Sequence, residues 1–207
     1  MESGIYAGAG AGLKLIETLL WDGEGLVRLA LHLERLERSA LLLGWECDLP
    51  SAEVELCAAA PDSPARMRLT LDASGQIAVQ VAALPEAKAE WRVGLTELRL
   101  DSGDPWLRVK STKRAGYDAA RAAMPGGLDE VIFLNERGEV CDGTITTVFF
   151  DRGQGMRTPP VTSGLLPGVL RAELAVPEEV LMGDELSCVR LWVGNSLRGL
   201  IPARWVI

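Results

Sequence analysis

Leu15 to Gly44 reads LIETLLWDGEGLVRLALHLERLERSALLLG, and this stretch decides the fold class. Residues 15–21 are a short apolar run with the character of a β-strand. Asp22-Gly23-Glu24-Gly25 is a turn with two glycines, and Leu26-Val27-Arg28-Leu29 is predicted to return as a second strand. The period then changes. Leu29, Leu33, Leu36, Ala40 and Leu43 recur at spacings of four, three, four and three, the mark of an amphipathic helix. Glu34, Arg35, Glu37 and Arg38 fill the opposite side, and Gly44 can close the helix. Strand, turn and helix in immediate succession announce a mixed α and β protein.

Working outward, Pro50-Ser51 opens a short helix running to Ala60, with Ser51 expected as its N-cap. Arg66–Asp72 alternates strictly, Asp72-Ala73-Ser74-Gly75 turns, and Ile77, Val79 and Val81 alternate again, so a hairpin with one buried face is predicted. Residues 91–100 form a further strand with Trp91, Val93 and Leu95 on one side. The Ser/Gly/Asp/Pro cluster at Asp101–Pro105 suggests a boundary, giving a small α/β domain over 1–103 and a larger, strand-rich domain over 104–207. Beyond it an Ala-rich helix is expected over 113–123, with strands at 131–134, 139–141, 146–150 and 189–193. A helix is expected over 166–174, with Pro167 near its first turn. Hairpin connections dominate, which argues for antiparallel pairing.

Composition narrows the function classes. Of 207 residues, 48% are hydrophobic and 24% charged, the balance of an ordinary globular protein. A formal net charge of −8 is repelled by phosphate backbones, so nucleic acid is not an expected partner. No signal peptide and no membrane span are expected, which points to the cytoplasm. Cys47, Cys57, Cys141 and Cys188 form no C-x-x-C pair, and scattered cysteines suit a reducing compartment. His32 is the only histidine, so a Ser-His-Asp triad or a histidine-rich metal site would have to use it. It sits on the helix between Leu31 and Leu33 as a core residue would, and no metal is expected.

Three segments carry candidate chemistry. Val109-Lys110-Ser111-Thr112 follows the boundary, a place where ligand clefts form. A lysine desolvated near other cations becomes a nucleophile toward carbonyls, although a lone lysine is ordinarily a solvated charge. Leu166-Pro167-Gly168-Val169-Leu170-Arg171 starts a helix, and helix starts offer N–H groups to phosphate; the same sequence also serves as a plain loop-to-helix junction. Asn195-Ser196 after a strand is either a second phosphate anchor or a polar turn.

Taken together, these segments resemble the class-IV aminotransferases. The residues that carry the resemblance are the Glu17-Thr18 pair, His32-Leu33-Glu34-Arg35-Leu36 with Ser39-Ala40, and Lys110-Ser111-Thr112-Lys113-Arg114 through Tyr117. Asp129-Glu130-Val131 to Gly138-Glu139-Val140, Asp142–Phe149, Thr158-Pro159-Pro160, Leu166-Pro167-Gly168-Val169 and Asn195-Ser196-Leu197-Arg198-Gly199 follow in the family's order. The last stretch is most similar to aminodeoxychorismate lyases. The resemblance implies a fold-type IV, D-amino-acid aminotransferase-like architecture: an α+β chain with a small N-terminal α/β lobe and a strand-rich pseudo-barrel lobe. It implies pyridoxal 5'-phosphate as cofactor, with Lys110 as the amine that holds the cofactor aldehyde and moves protons at the substrate carbon. Arg35, the backbone N–H groups of Val169 and Leu170, and the Ser196 hydroxyl would hold the phosphate. Asp142 would pair with the pyridine nitrogen, keeping the ring an electron acceptor. Thr18 would assist proton movement, and Arg114 would meet a substrate carboxylate. A homodimer acting on a small amine or amino acid is implied.

The sequence departs from the family pattern at three places: Asp142 where glutamate is usual, and Thr147 and Lys113 where asparagine is frequent. Three readings follow from the resemblance. The first is 4-amino-4-deoxychorismate lyase, releasing pyruvate and 4-aminobenzoate on the way to folate. The second is an aminotransferase acting on branched-chain or D-amino acids. The third is a cofactor-binding homologue without turnover.

Overall fold

The computed structural model describes residues 12–206. The chain divides into two compact units. One holds the residues up to Glu86 together with Val109–Lys113; the other holds Ala87–Arg108 and Arg114 onward.

In the first unit, β1 (Lys14–Trp21), β2 (Ala65–Asp72) and β3 (Ile77–Ala82) make an antiparallel sheet in that order. Two helices, α1 (Leu29–Leu43) and α2 (Leu49–Ala58), pack on it. Strand alternation sorts the side chains. Leu15, Glu17 and Leu19 of β1 stand opposite Leu71, Leu69 and Met67 of β2, and all six are buried. Glu17 is thus a carboxylate set into a face of leucines and a methionine.

The predicted return strand at 26–29 does not form. Trp21 and Leu26 make an isolated bridge, Val27 N–H donates to Leu20 O at 2.9 Å, and pairing stops there. Arg28 takes a left-handed conformation at φ 61° and turns the chain into α1, which ends the strand direction. The buried stripe of α1 also differs from the leucine pattern. It runs through His32, Arg35, Leu36, Ser39 and Ala40, whereas Leu29, Leu33 and Leu43 are only half-buried. The cap of α2 is Asp48 rather than Ser51. Asp48 accepts from Ser51 N–H at 3.1 Å and from Ser51 Oγ at 2.7 Å, so Ser51 is the third helical residue of that cap.

In the second unit six strands close into a barrel: β4 (Trp91–Leu100), β5 (Glu130–Asn135), β6 (Val140–Gly143), β7 (Thr147–Asp151), β8 (Arg190–Asn195) and β9 (Gly199–Trp205). Closure leaves no sheet edge. β5 is buried on both faces: Ile132 and Leu134 join one cluster with Val93, Val148, Phe150, Val193 and Ile201, while Val131 and Phe133 join Cys141, Leu165 and Ala120. Ala120 belongs to α3 (Ala115–Ala122), and a last short helix, α4, spans Val169–Leu174.

Pairing is antiparallel from β5 through β9, as the hairpins predict, but β4 runs parallel to both β5 and β9. β4 therefore belongs to the barrel, and the division placed at residue 103 differs from the two units in that respect. It differs also in the segment Val109–Lys113, which joins the first unit through β1. The periodicity reading lacks β9, because Pro202 interrupts it. In the structure β4 pairs with Ala203–Trp205 only, so the missing N–H of Pro202 costs no bond on that side. α4 begins after Pro167, with Gly168 as its N-cap.

Candidate active site

The first unit places Lys110 by backbone pairing. Leu15 and Ser111 form an antiparallel bridge; Ile16 N–H donates to Lys110 O and Thr112 N–H to Lys14 O, each at 2.9 Å. Thr112 Oγ1 accepts from Lys14 N–H at 3.0 Å. Lys110 therefore stands opposite Ile16 on a short extra strand beside β1, and its side chain is half-buried. Thr18 lies two residues farther along β1, opposite Arg68 on the other side.

Glu17, His32 and Arg35 form a buried network in the same unit. Arg35 Nε donates to Glu17 Oε1 at 2.9 Å and Nη2 to Oε2 at 2.6 Å, a fork-to-fork pair. His32 Nδ1 bonds the same Oε2 at 2.6 Å. Ser39 Oγ donates to Arg35 O at 2.7 Å, closing the helix face on which the arginine sits. Burial pushes the Glu17 carboxyl up, but the Arg35 charge and the bonds from His32 and Arg35 outweigh it and hold it at about 2. Burial lowers the His32 pKa against the pull of Glu17, and the charges of Arg35 and Lys110 act in the same lowering direction. The histidine is thus kept neutral and donates from Nδ1, while the carboxylate stays ionised.

In the second unit, polar side chains gather at the ends of neighbouring strands. Asp142 on β6 is 5% exposed; Oδ1 accepts from Tyr117 Oη and Oδ2 from Leu166 N–H, both at 3.2 Å. Asp142 pairs across to Thr147 on β7, and Thr147 pairs across to Gly194 on β8. α4 starts against this row: a Cβ on Gly168 would stand 2.7 Å from Thr147 Oγ1, and one on Gly194 would stand 2.6 Å from Leu170 Cδ2. Ser196, also buried, follows β8 directly, in a turn where Asn195 Oδ1 accepts from the N–H groups of Leu197 and Arg198. Asp142, Val169, Leu170 and Ser196 are thereby brought to one end of one barrel.

Glu130 holds this end together. At 0% exposure it accepts from Thr144 N–H at 3.0 Å, Ile145 N–H at 3.1 Å and Thr146 Oγ1 at 2.9 Å, and Arg121 stands 3.5 Å away. Arg114 donates from Nε to Asp118 at 2.7 Å and from Nη2 to Thr144 O at 3.0 Å, with its guanidinium over the Tyr117 ring. Burial and the Asp142 charge push the Tyr117 phenol well above its ordinary range, so it remains a donor.

Residues 14–206 match the family model described as amino-transferase class IV. The chain is a class-IV aminotransferase family member. A provisionally named aminodeoxychorismate lyase of Schizosaccharomyces pombe is 34% identical over 168 residues, covering 78% of this chain and 72% of that protein. A solved Mesorhizobium loti structure, provisionally named an amino-acid aminotransferase, is 42% identical with a TM-score of 0.88, covering 94% of this chain and all of that one. The 4-amino-4-deoxychorismate lyase of Pseudomonas aeruginosa shares the fold at a TM-score of 0.81 and 23% identity, covering 96% of this chain and 85% of its own. The six-stranded barrel and the mixed α and β composition are those of fold-type IV.

The residues of this class-IV protein fit the cofactor its family implies. The first intrahelical bond of α4 is Ala172 N–H to Gly168 O, so Val169 and Leu170, both buried, turn N–H groups without a helical acceptor toward the start of the helix. Gly168 brings no side-chain cap to them. That is donor chemistry suited to a phosphate, and Asp142 is a buried carboxylate suited to a ring nitrogen. In the first unit, Arg35 has its Nε/Nη2 edge engaged by Glu17, which leaves its end-on Nη1/Nη2 edge turned away from that carboxylate. Sequence reasoning passes over Glu17 as a strand residue, His32 as core and Tyr117 as the end of a motif. No local pattern flags the first two: only the burial of three polar side chains at 32, 35 and 39 shows that they need a partner on the facing strand.

Proposed function

We propose that this protein is a pyridoxal-phosphate-dependent 4-amino-4-deoxychorismate lyase that releases pyruvate and 4-aminobenzoate. Its sequence identity with the provisionally named fission-yeast lyase carries the choice of reaction. The buried Asp142 beside the uncapped start of α4 supports the choice of cofactor. When bound, that cofactor supplies an electron sink for a negative charge developing on the substrate α-carbon.

In this reading the protein's own groups divide the work. Lys110 Nζ would hold the cofactor aldehyde, and as a free amine it would take the proton from the substrate α-carbon. Thr18 Oγ1 assists that proton's movement. Asp142 would hold the ring nitrogen in its protonated form; Tyr117 Oη and Leu166 N–H fix the carboxylate so that it presents one geometry. Arg35 would contribute to holding the phosphate, as would Val169 N–H, Leu170 N–H and Ser196 Oγ. Arg114, oriented by Asp118 and Thr144, meets a substrate carboxylate. Pyruvate and 4-aminobenzoate together contain every atom of the substrate, so the reaction needs no amino acceptor. The protein acts in the cytoplasm as a homodimer, on a small molecule, without nucleic acid or membrane.

The Mesorhizobium loti neighbour favours a second reading, an amino-acid aminotransferase that uses the same Lys110 chemistry. Product analysis separates the two. The lyase forms pyruvate from aminodeoxychorismate with no keto acid added; an aminotransferase is silent until 2-oxoglutarate is supplied with an amino acid. Borohydride reduction of the cofactor-loaded protein, then peptide mapping, is expected to label Lys110. Label on another lysine, or none, sinks the cofactor assignment itself and with it both readings.

A further inference from the structure

We propose that Glu17 is a positioning residue for the cofactor phosphate: it fixes the Arg35 guanidinium so that only the end-on Nη1/Nη2 edge meets the phosphate, and His32 locks Glu17 in turn. This rests on the phosphate role given to Arg35 above. Glu17 touches neither cofactor nor substrate in this scheme and acts through the arginine.

The placement of the three groups is the argument. Glu17 is 2% exposed on a strand face whose neighbours are Leu15, Leu19 and Leu69. Burying an ion pair there contributes little net stability, because leucine-like residues of similar volume do as well or better. What the pair does supply is orientation. A guanidinium has five N–H donors in a rigid plane. Two go to the two oxygens of Glu17, at 2.9 and 2.6 Å, which fixes the plane and its rotation. Three donors remain, all on Nη1 and Nη2. His32 Nδ1 at 2.6 Å from Oε2 removes the remaining freedom of the carboxylate, and Ser39 ties down the helix turn carrying Arg35.

The arrangement also sets the charge. Arg35 and Glu17 cancel, and the neutral His32 adds nothing, so the network is neutral before any anion arrives. Arg35 can then stay buried without a phosphate to neutralise it. The competing view is that Glu17 is simply a negative charge beside the site, weakening anion binding. The two views predict opposite signs.

The experiment titrates the cofactor-free full-length protein with pyridoxal 5'-phosphate and, separately, with pyridoxal, following the visible absorbance of the bound form. Pyridoxal keeps the aldehyde that Lys110 holds and lacks the phosphate. Glu17→Asp retains the charge but shortens the carboxylate by one methylene, breaking the fork. It is expected to weaken pyridoxal 5'-phosphate by about tenfold, a normal coupling for groups in one network, while pyridoxal changes by less than about threefold. Glu17→Gln is expected to behave likewise. His32→Asn, which keeps a donor near the Nδ1 position, is expected to match the wild type, and His32→Leu to show part of the loss. The proposal is overturned if Glu17→Asp binds both ligands as the wild type does, if it weakens both equally, or if Glu17→Gln tightens the phosphate form. If Glu17→Gln fails to fold, Glu17→Asp and the His32 pair decide. Wild-type protein that binds pyridoxal and its phosphate equally well would instead remove the phosphate role of Arg35.

Discussion

Arg35 and Glu17 face each other across α1 and β1 as a two-bond, fully buried ion pair, at 2.9 and 2.6 Å. Removing one partner of such a pair leaves an uncompensated charge in an apolar face, at a cost of about 3–5 kcal/mol. Arg35→Met is therefore expected to lower unfolding free energy by roughly that amount in denaturant titration. Adding Glu17→Leu is expected to recover most of it, since the orphaned carboxylate is gone. A single variant as stable as the wild type would mean that the pair is solvated in solution.

The same network predicts an acid-side loss of stability. Glu17 has its pKa held at about 2, below its ordinary 4.5, so its contribution is complete above 4.5 and lost as pH falls toward 2. A shift of that size corresponds to about 3 kcal/mol. His32 has a lowered pKa as well, so the folded protein binds fewer protons than the unfolded chain and stability begins to fall as pH drops below about 6.5. Thermal unfolding between pH 8 and pH 4 is expected to show a falling midpoint, with the first part of the fall missing in His32→Asn. An unchanged profile in that variant would place the sensitivity elsewhere.

The sequence carries more of the frame than of the support. β1, the β2–β3 hairpin and the buried strands β5, β7 and β8 are legible because period-2 and continuous apolar runs survive in them. Lys110, Arg35, Asp142 and Ser196 stand out as candidates only as an ordered series, since each has an ordinary surface or turn explanation alone. The carriers of orientation were hidden. Glu17 sits at a position where alternation calls for an apolar residue, and only the pairing to Leu69 and the facing helix shows it buried. The leucine pattern of α1 places its stripe one step round the helix from the buried face, because its leucines outnumber the polar residues that face the core. The placement of Val109–Lys113 beside β1 depends on a pairing of Ser111 with Leu15, 96 residues earlier, which no local pattern reports.

Glu130 gathers the turn after Asp142, accepting from Thr144, Ile145 and Thr146 with no solvent exposure. A glutamine can accept at only one of the two oxygens and points an N–H₂ at donors on the other side. Glu130→Gln is expected to destabilise the protein by about 2–4 kcal/mol. Amide exchange at residues 144–147 is expected to accelerate more than exchange in β1, in the other unit. Uniform acceleration throughout would show only global weakening and would remove the local role.

Gly168 tests whether the start of α4 depends on Thr147. Its backbone, at φ −70° and ψ 149°, is open to any residue, so an alanine there meets no conformational penalty. The obstacle is steric: a Cβ would stand 2.7 Å from Thr147 Oγ1. Gly168→Ala is expected to cost about 1–3 kcal/mol through this overlap, displacing the helix start that carries the Val169 and Leu170 N–H groups. Thr147→Ala removes the hydroxyl, and in the double variant much of the cost should vanish. A double-mutant cycle in denaturant is expected to give a coupling of about 1 kcal/mol or more. Additive costs would show that the alanine is accommodated by movement away from β7, with the packing of α4 on Thr147 unimportant for the position of those N–H groups.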